Sequence, residues 1–261
     1  MNYQKTFVTD FAGYSAKFSP YRPSLIATAS SQYFGMTGNG RLAVYDLEIS
    51  TAPLASLTTK DGAFDITWSE ASEGLLVAGG GDGSLIFWNY MQPGNSNSSV
   101  RSGAHSGEVA SIDWSCIERK FIVSAGWDGW VRVWDVERLG CSTGELHAGP
   151  SHCYQASFSP HNPGLIAAVN GEGNLLVMDR RSPQETWKFQ LKMTHGSEVL
   201  SCDWNKYRPS QIATGSVDRN LRVWDIRNPS SPVSVVTDAH GLAIRKVKFD
   251  PFTQDELVSC S

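Results

Sequence analysis

Two sets of polar residues in this chain have the types of a proton relay. One is His105, Ser124, Asp128 and Trp134; the other is His195, Thr214, Asp218 and Trp224. A histidine beside a hydroxyl and a carboxylate is how a general base activates a nucleophile. An active site is built once, however, whereas here the whole set recurs. Repetition points to a bond network that satisfies buried donors and acceptors in each copy of a structural unit. No catalytic residue is assigned, and an enzyme is not expected. His147 and His152 could reach one metal ion but have no supporting cysteine or carboxylate pattern, so no metal site and no cofactor are expected. Gly79-Gly80-Gly81-Asp82-Gly83 lacks the lysine and following helix of a phosphate loop and reads as a tight turn. The five cysteines are odd in number and contain no C-x-x-C pair. Cys116, Cys153 and Cys202 fall at or near strands and read as small packing residues in a reduced, cytosolic chain.

The elements that would position these residues repeat as well. An aromatic residue precedes a small, polar or acidic one at Phe18, Trp68, Trp114, Phe158, Trp204 and Phe249, with spacings of 50, 46, 44, 46 and 45 residues. After each of the first five anchors comes a second landmark, a turn followed by a residue pair ending at Asp46, Asn89, Asp135, Asp179 or Asp225. Those ends lie 43, 46, 44 and 46 residues apart. Two independent landmarks with one period identify a repeat protein. Within each repeat the alternation has period two, as in Val131-Arg132-Val133-Trp134 and Leu221-Arg222-Val223-Trp224. Short apolar runs such as Phe121-Ile122-Val123-Ser124 are bounded by turn residues. Each unit is therefore expected to be a small antiparallel sheet of about four strands with Asp-Gly and Gly-rich turns.

Composition narrows the function classes. The chain has 261 residues, 22 Lys and Arg against 26 Asp and Glu, and a net charge of −4. That balance disfavours a general nucleic-acid binder held by phosphates. No apolar run approaches the ~20 residues of a membrane-spanning helix. Met1-Asn2-Tyr3-Gln4-Lys5 leads into no apolar core of a secretory leader.

The period, the Trp-Asp ends and a histidine nine residues before the anchor at His105, His195 and His240 resemble the WD40 repeats. That resemblance implies an all-β WD40 β-propeller, with five complete repeats plus the start of a sixth, where an intact member has seven blades. It also implies that the His, Ser or Thr, Asp and Trp sets are hydrogen-bonded chains inside blades. The fourth repeat departs from the pattern, because His147 lies eleven residues before Phe158. The chain reads as one propeller domain over residues 1–261, incomplete at the C-terminus and stopping in mid-sheet. Lys5-Thr6-Phe7-Val8 is the candidate strand for closing such a ring. Gln92-Pro93-Gly94-Asn95-Ser96-Asn97-Ser98-Ser99 reads as a solvated insert.

Four segments go beyond the general repeat: Gly13-Tyr14-Ser15-Ala16-Lys17-Phe18-Ser19-Pro20-Tyr21, Phe64-Asp65-Ile66-Thr67-Trp68-Ser69-Glu70, Leu200-Ser201-Cys202-Asp203-Trp204 and Ala243-Ile244-Arg245-Lys246-Val247-Lys248-Phe249. They resemble the seventh-peroxin family, the peroxisomal import receptors for type 2 targeting signals. The resemblance implies a receptor that shuttles between cytosol and peroxisome matrix. It would bind a helical N-terminal nonapeptide, with basic and Leu-like residues at each end, on matrix enzymes. An import coreceptor would clamp the signal, and membrane docking proteins would receive the complex. For that role, Asp65, Glu108 and Glu198 are the candidate carboxylates for a cationic signal, Glu108 and Glu198 each standing six residues before an anchor. Phe64 and Tyr154, each four before an anchor, and Trp127 are the candidate apolar seats. Arg245 and Lys246 would oppose a basic peptide and are assigned to coreceptor acids or a nearby carboxylate. Trp224-Asp225-Ile226-Arg227 supports the alternative of a WD40 substrate receptor for a cullin-based ubiquitin ligase, with Arg227 on the adaptor.

Overall fold

The computed structural model describes residues 6–7, 9–49, 51–92, 97–138, 142–181 and 189–261, the side chains of 189 and 190 excepted. Met1–Lys5 and Val8, which include Lys5 and Val8 of the candidate closing strand, 93–96 of the insert, and Cys141 lie outside them.

The chain divides into two compact units, Met1–Trp114 and Ser115–Ser261. In the first unit β1 (Ala12–Phe18), β2 (Leu25–Ser31), β3 (Gly40–Asp46) and β4 (Ala55–Thr59) form one antiparallel sheet in chain order. β5 (Ala63–Trp68), β6 (Leu75–Gly80), β7 (Leu85–Asn89) and β8 (Ser98–Arg101) form the next, and β9 (Val109–Trp114) ends the unit. In the second unit β10 (Phe121–Gly126), β11 (Trp130–Asp135) and β12 (Ser142–His147) pair in succession. They are followed by the sheets β13 (Cys153–Phe158), β14 (Leu165–Asn170), β15 (Asn174–Asp179), β16 (Phe189–Thr194) and β17 (Val199–Trp204), β18 (Gln211–Ser216), β19 (Leu221–Asp225), β20 (Ser234–Val236). The hairpin β21 (Lys246–Phe249) and β22 (Leu257–Cys260) begins a sixth repeat. The fold is all-β, a succession of antiparallel sheets of the kind that the WD40 β-propeller resemblance implies. Among the described residues no helix is long and apolar enough to cross a membrane.

Local chemistry explains the repeat. The small polar residue after each anchor ties the first turn: the Ser69 hydroxyl accepts from the Ala71 and Ser72 amides, and the Asn205 side chain accepts from Tyr207 and Arg208. The middle strands are buried on both faces, as all six residues of β10 show. The first four residues of β11 alternate instead, half-buried Trp130 and Arg132 with buried Val131 and Val133. The glycine of the next turn serves two ends. Gly173 has φ 80°, and a Cβ there would lie 2.5 Å from the Ser197 carbonyl oxygen. The chain entering the next sheet therefore lies directly on the turn, and His195 donates its amide to the Gly173 carbonyl at 2.8 Å.

The fourth repeat departs at His147, as its spacing indicated. Ala148, not His147, donates to the Gly129 carbonyl at 2.7 Å and so takes the place that His195 holds in the fifth. His147 is exposed at the end of β12 against the Trp130 ring. Asn170 fills the missing polar role by donating to the Ala148 carbonyl at 2.7 Å.

Each unit has its own core. In the first, Leu25, Leu42, Ile66, Trp68, Leu76 and Trp88 pack together; in the second, Phe121, Ile166 and Met178 form one cluster and Val199, Trp204, Ile212 and Trp224 another. Full burial of one such side chain contributes ~1.5–3 kcal/mol.

Candidate functional site

The inner strand of a repeat carries a β-bulge at a constant position. Pairing skips a residue between Gly13 and Ser15, Ala63 and Asp65, Cys153 and Gln155, and Val199 and Ser201. The skipped residues are Tyr14, Phe64, Tyr154 and Leu200, each four before its anchor. A bulge breaks the period-two alternation and re-aims one side chain. Two of these residues, Phe64 and Tyr154, were legible as candidate seats; Tyr14 and Leu200 share their position and had the same spacing as a signal.

In the second unit the bulge builds an open row. The His152 ring stacks on Trp127 with centroids 4.7 Å apart, and its Nδ1 lies 2.8 Å from the Trp127 carbonyl oxygen. Tyr154 meets the His152 ring edge-on at 6.2 Å, and its hydroxyl donates to Glu198 Oε2 at 2.9 Å. Trp127 is 41% exposed and Glu198 is exposed. Glu198 is fixed through its backbone, whose carbonyl accepts from Val217 N at 2.9 Å and the Ser216 hydroxyl at 2.7 Å. Burial and the Glu198 carboxylate push the Tyr154 phenol up to about 12, against the pull of Arg245. Tyr154 therefore remains a donor at physiological pH, which orients the carboxylate. Three of the expected residues, Trp127, Tyr154 and Glu198, thus stand together with His152, which sequence had weighed only as a metal ligand. The row presents flat π surface next to a carboxylate that forms no ion pair among the described residues. Such a surface suits a cation attached to an apolar segment.

In the first unit Asp65 is enclosed, and Phe64 and Glu108 are half-buried. Asp65 is 3% exposed. Its Oδ1 accepts from the Ser15 hydroxyl at 2.6 Å and the Ile66 amide at 3.0 Å, and its Oδ2 from the Ile112 amide at 2.9 Å. Lys17 lies 3.7 Å away. The carboxylate stitches β1, β5 and β9 together. Phe64 packs edge-on to Tyr14 at 4.9 Å and is bordered by Gly35, Gly62 and Gly81. Glu108, half-buried, stands immediately before β9, as Glu198 stands immediately before β17.

The repeated polar sets are internal. Trp224 Nε1 donates to Thr214 Oγ1 at 2.9 Å, and His195 Nε2 lies 2.6 Å from that oxygen. Asp218 Oδ2 is 3.5 Å from His195 Nδ1 and 2.7 Å from Arg222, which also contacts the imidazole. Burial, then the Arg222 charge, pulls the His195 imidazole down to about 4, so it is neutral at physiological pH. Its side chain has no exposed surface, which leaves no approach for a substrate. In the third repeat Trp134 Nε1 donates to Ser124 Oγ at 2.9 Å, Asp128 pairs with Arg132 at 2.8 Å, and His105 is buried.

Arg227 folds back onto Asp225 with contacts of 2.6 to 3.2 Å, and Arg181 chelates Asp179 in the same way. The Arg227 pair holds the Asp225 carboxyl down at about 2. A pairing that recurs in two repeats locks a turn. It does not distinguish Arg227 as an adaptor contact.

Comparison with known proteins bears on the family of the chain. Residues 97–135 and 187–225 match the family model described as "WD domain, G-beta repeat". The chain is 38% identical over 250 residues to the peroxisomal targeting signal 2 receptor of Homo sapiens, covering 95% of this chain and 76% of that protein. It is 29% identical over 297 residues to the receptor of the same name from Saccharomyces cerevisiae, covering 96% and 79%. A peroxisome biogenesis protein 7 from Arabidopsis thaliana is 37% identical over 116 residues, covering 43% and 37%.

Proposed function

Because the chain belongs to the family of peroxisomal targeting signal 2 receptors, we propose that it captures the N-terminal type 2 signal of peroxisomal matrix enzymes. In this reading it acts with an import coreceptor, passes the loaded complex to docking proteins at the peroxisomal membrane, and cycles between cytosol and matrix. The repeats over residues 1–261 act as one binding domain, and the chain carries no catalytic role.

The observation that carries the proposal is the open row of Trp127, His152, Tyr154 and Glu198. A short helix with basic and Leu-like residues needs two things from a receptor: carboxylate oxygens already oriented, and flat apolar surface next to them. Tyr154 supplies the orientation and Trp127 the surface. Glu108, at the position equivalent to Glu198, is a second carboxylate for the signal. Phe64 and Asp65 serve the first unit's rim by holding it in place, since one is packed among glycines and the other is committed to three donors.

The test is an anisotropy titration of a fluorescent type 2 signal peptide into the purified chain with a coreceptor. A control peptide has its basic residues replaced by glutamate. Saturable binding of the signal alone, weakening steeply between 50 and about 200 mM salt, is expected for a contact made by charge. Equal binding of both peptides, or none by a folded chain, contradicts the proposal.

A further inference from the structure

Between β2 and β3 the chain holds a conformation that its side chains resist. Tyr33 and Phe34 have φ of 44° and 55°. For bulky residues this left-handed region is a genuine outlier, and such strain persists only where surrounding contacts over-determine it. The contacts are present. Tyr14 donates its hydroxyl to the Phe34 carbonyl at 2.5 Å, and Met36 donates its amide to the Tyr33 carbonyl at 3.2 Å. Gln32 clasps Asn39 twice, through backbone and side chain, each at 3.0 Å. The Phe64 ring closes the loop from beneath, where a Cβ on Gly35 would lie 2.6 Å from Cε1. Everything around the loop fixes its backbone, yet the side chains of Tyr33, Phe34 and Met36 are 68%, 77% and 78% exposed. Grouped exposure of large apolar side chains marks an interaction surface.

The same rim carries acid. A Cβ on Gly81 would stand 3.0 Å from Asp61 Oδ1 and 3.1 Å from Phe64 Cε2, so the Asp61 carboxylate lies across the Phe64 ring from Gly35. Asp82 follows Gly81 in the chain and is exposed. Among the described residues neither carboxylate forms an ion pair, Lys60 beside Asp61 included. One oxygen of each is held by a backbone amide, Asp61 by Gly62 at 2.6 Å and Asp82 by Ser84 at 3.0 Å, which fixes the carboxylates while no cation among the described residues neutralises them. Apolar side chains next to such carboxylates complement one kind of partner: a helical segment with cations and apolar side chains on the same face. We propose that Tyr33, Phe34 and Met36 form the first unit's apolar contact with the cationic signal segment of cargo, with Asp61 and Asp82 facing its positive charges. This rests on the receptor reading above and gives the first unit a contact of its own.

The test uses the full chain and a synthetic type 2 signal peptide. One variant carries a benzophenone amino acid at position 34, for photocrosslinking. A second, Tyr33→Asn with Phe34→Gly, suits the left-handed backbone better than the native residues do and removes the aromatic surface. The proposal expects a crosslink from position 34 to the peptide, and about tenfold weaker binding by the double variant with a melting midpoint equal to or above wild type. A loop that merely supports the fold would instead show a lowered midpoint and no crosslink, which overturns the proposal. Unchanged affinity without a crosslink overturns it while leaving the receptor reading intact. If the unmodified chain fails to bind the peptide, both fall.

Discussion

Phe64 and Tyr154 occupy the same place in the repeat, each a bulge residue four before its anchor, yet the two units use them in opposite ways. In the first unit the aromatic ring is boxed by Tyr14 and three glycines, and the neighbouring Asp65 is consumed by donors from three strands. In the second unit the ring opens onto His152 and Trp127, and its hydroxyl aims a carboxylate outward. One backbone device yields a brace in one place and an open row, the proposed recognition surface, in the other. Both rings are half-buried, and what separates them is their company: Tyr14, Gly35, Gly62 and Gly81 border Phe64, whereas Glu198 beside β17 gives Tyr154 a polar partner near solvent.

The comparison predicts unequal responses to removing a carboxylate. Asp65→Ala should cost about 3 to 5 kcal/mol in urea unfolding, because it leaves the buried Ile112 amide without its acceptor and removes the carboxylate that joins three strands. Glu198→Ala should cost well under ~0.5 kcal/mol. Similar losses at the two sites would erase the distinction.

Next in size is a pH effect from the buried network. His195 is held near 4 in the folded chain, below its ordinary value of 6.5. The unfolded chain therefore binds the extra proton first. Its contribution to stability is complete above about 6.5 and is lost as pH falls toward 4, by up to ~3 kcal/mol. Urea unfolding at several pH values should show this slope, and His195→Gln should remove it. A slope unchanged in that variant would mean that His195 is not the titrating group.

A smaller effect sharpens the account of the brace. Gly35→Ala meets both the Phe64 ring and an unfavourable φ of 75°, and should lower stability by about 1 to 2 kcal/mol. Gly171→Ala, beside Tyr154, meets the Ser151 side chain at 3.2 and 3.3 Å and the Tyr154 ring at 3.6 Å, and has no such backbone penalty. It should cost less than half as much by the same measurement.

The repeat was legible because anchors and turns recur at nearly constant spacing, and each has a local cause: a hydroxyl or amide tying the first turn, and a glycine with positive φ in the next. Trp127, Tyr154 and Glu198 were legible as types at recurring or exposed positions. What stacks on Trp127 was not, since His152 reaches it only through the fold. Asp65 could not be recognised as buried, because the bulge at Phe64 shifts the alternation that would have placed it. The departure of His147 was legible from its spacing, whereas the residue that takes its place, Ala148, carries no side-chain signal. The loop from Tyr33 to Met36 carried no periodic signal, and its importance lies in backbone angles that residue types alone do not reveal.

The central claim is that the open row in the second unit receives the cationic signal. Its most direct test is the affinity of a type 2 signal peptide for Glu198→Lys relative to wild type, with Phe252→Ser, an exposed position outside the row, as control. The account predicts at least about tenfold weaker binding for Glu198→Lys, with an unchanged melting midpoint and an unaffected control. Wild-type affinity in Glu198→Lys would contradict it.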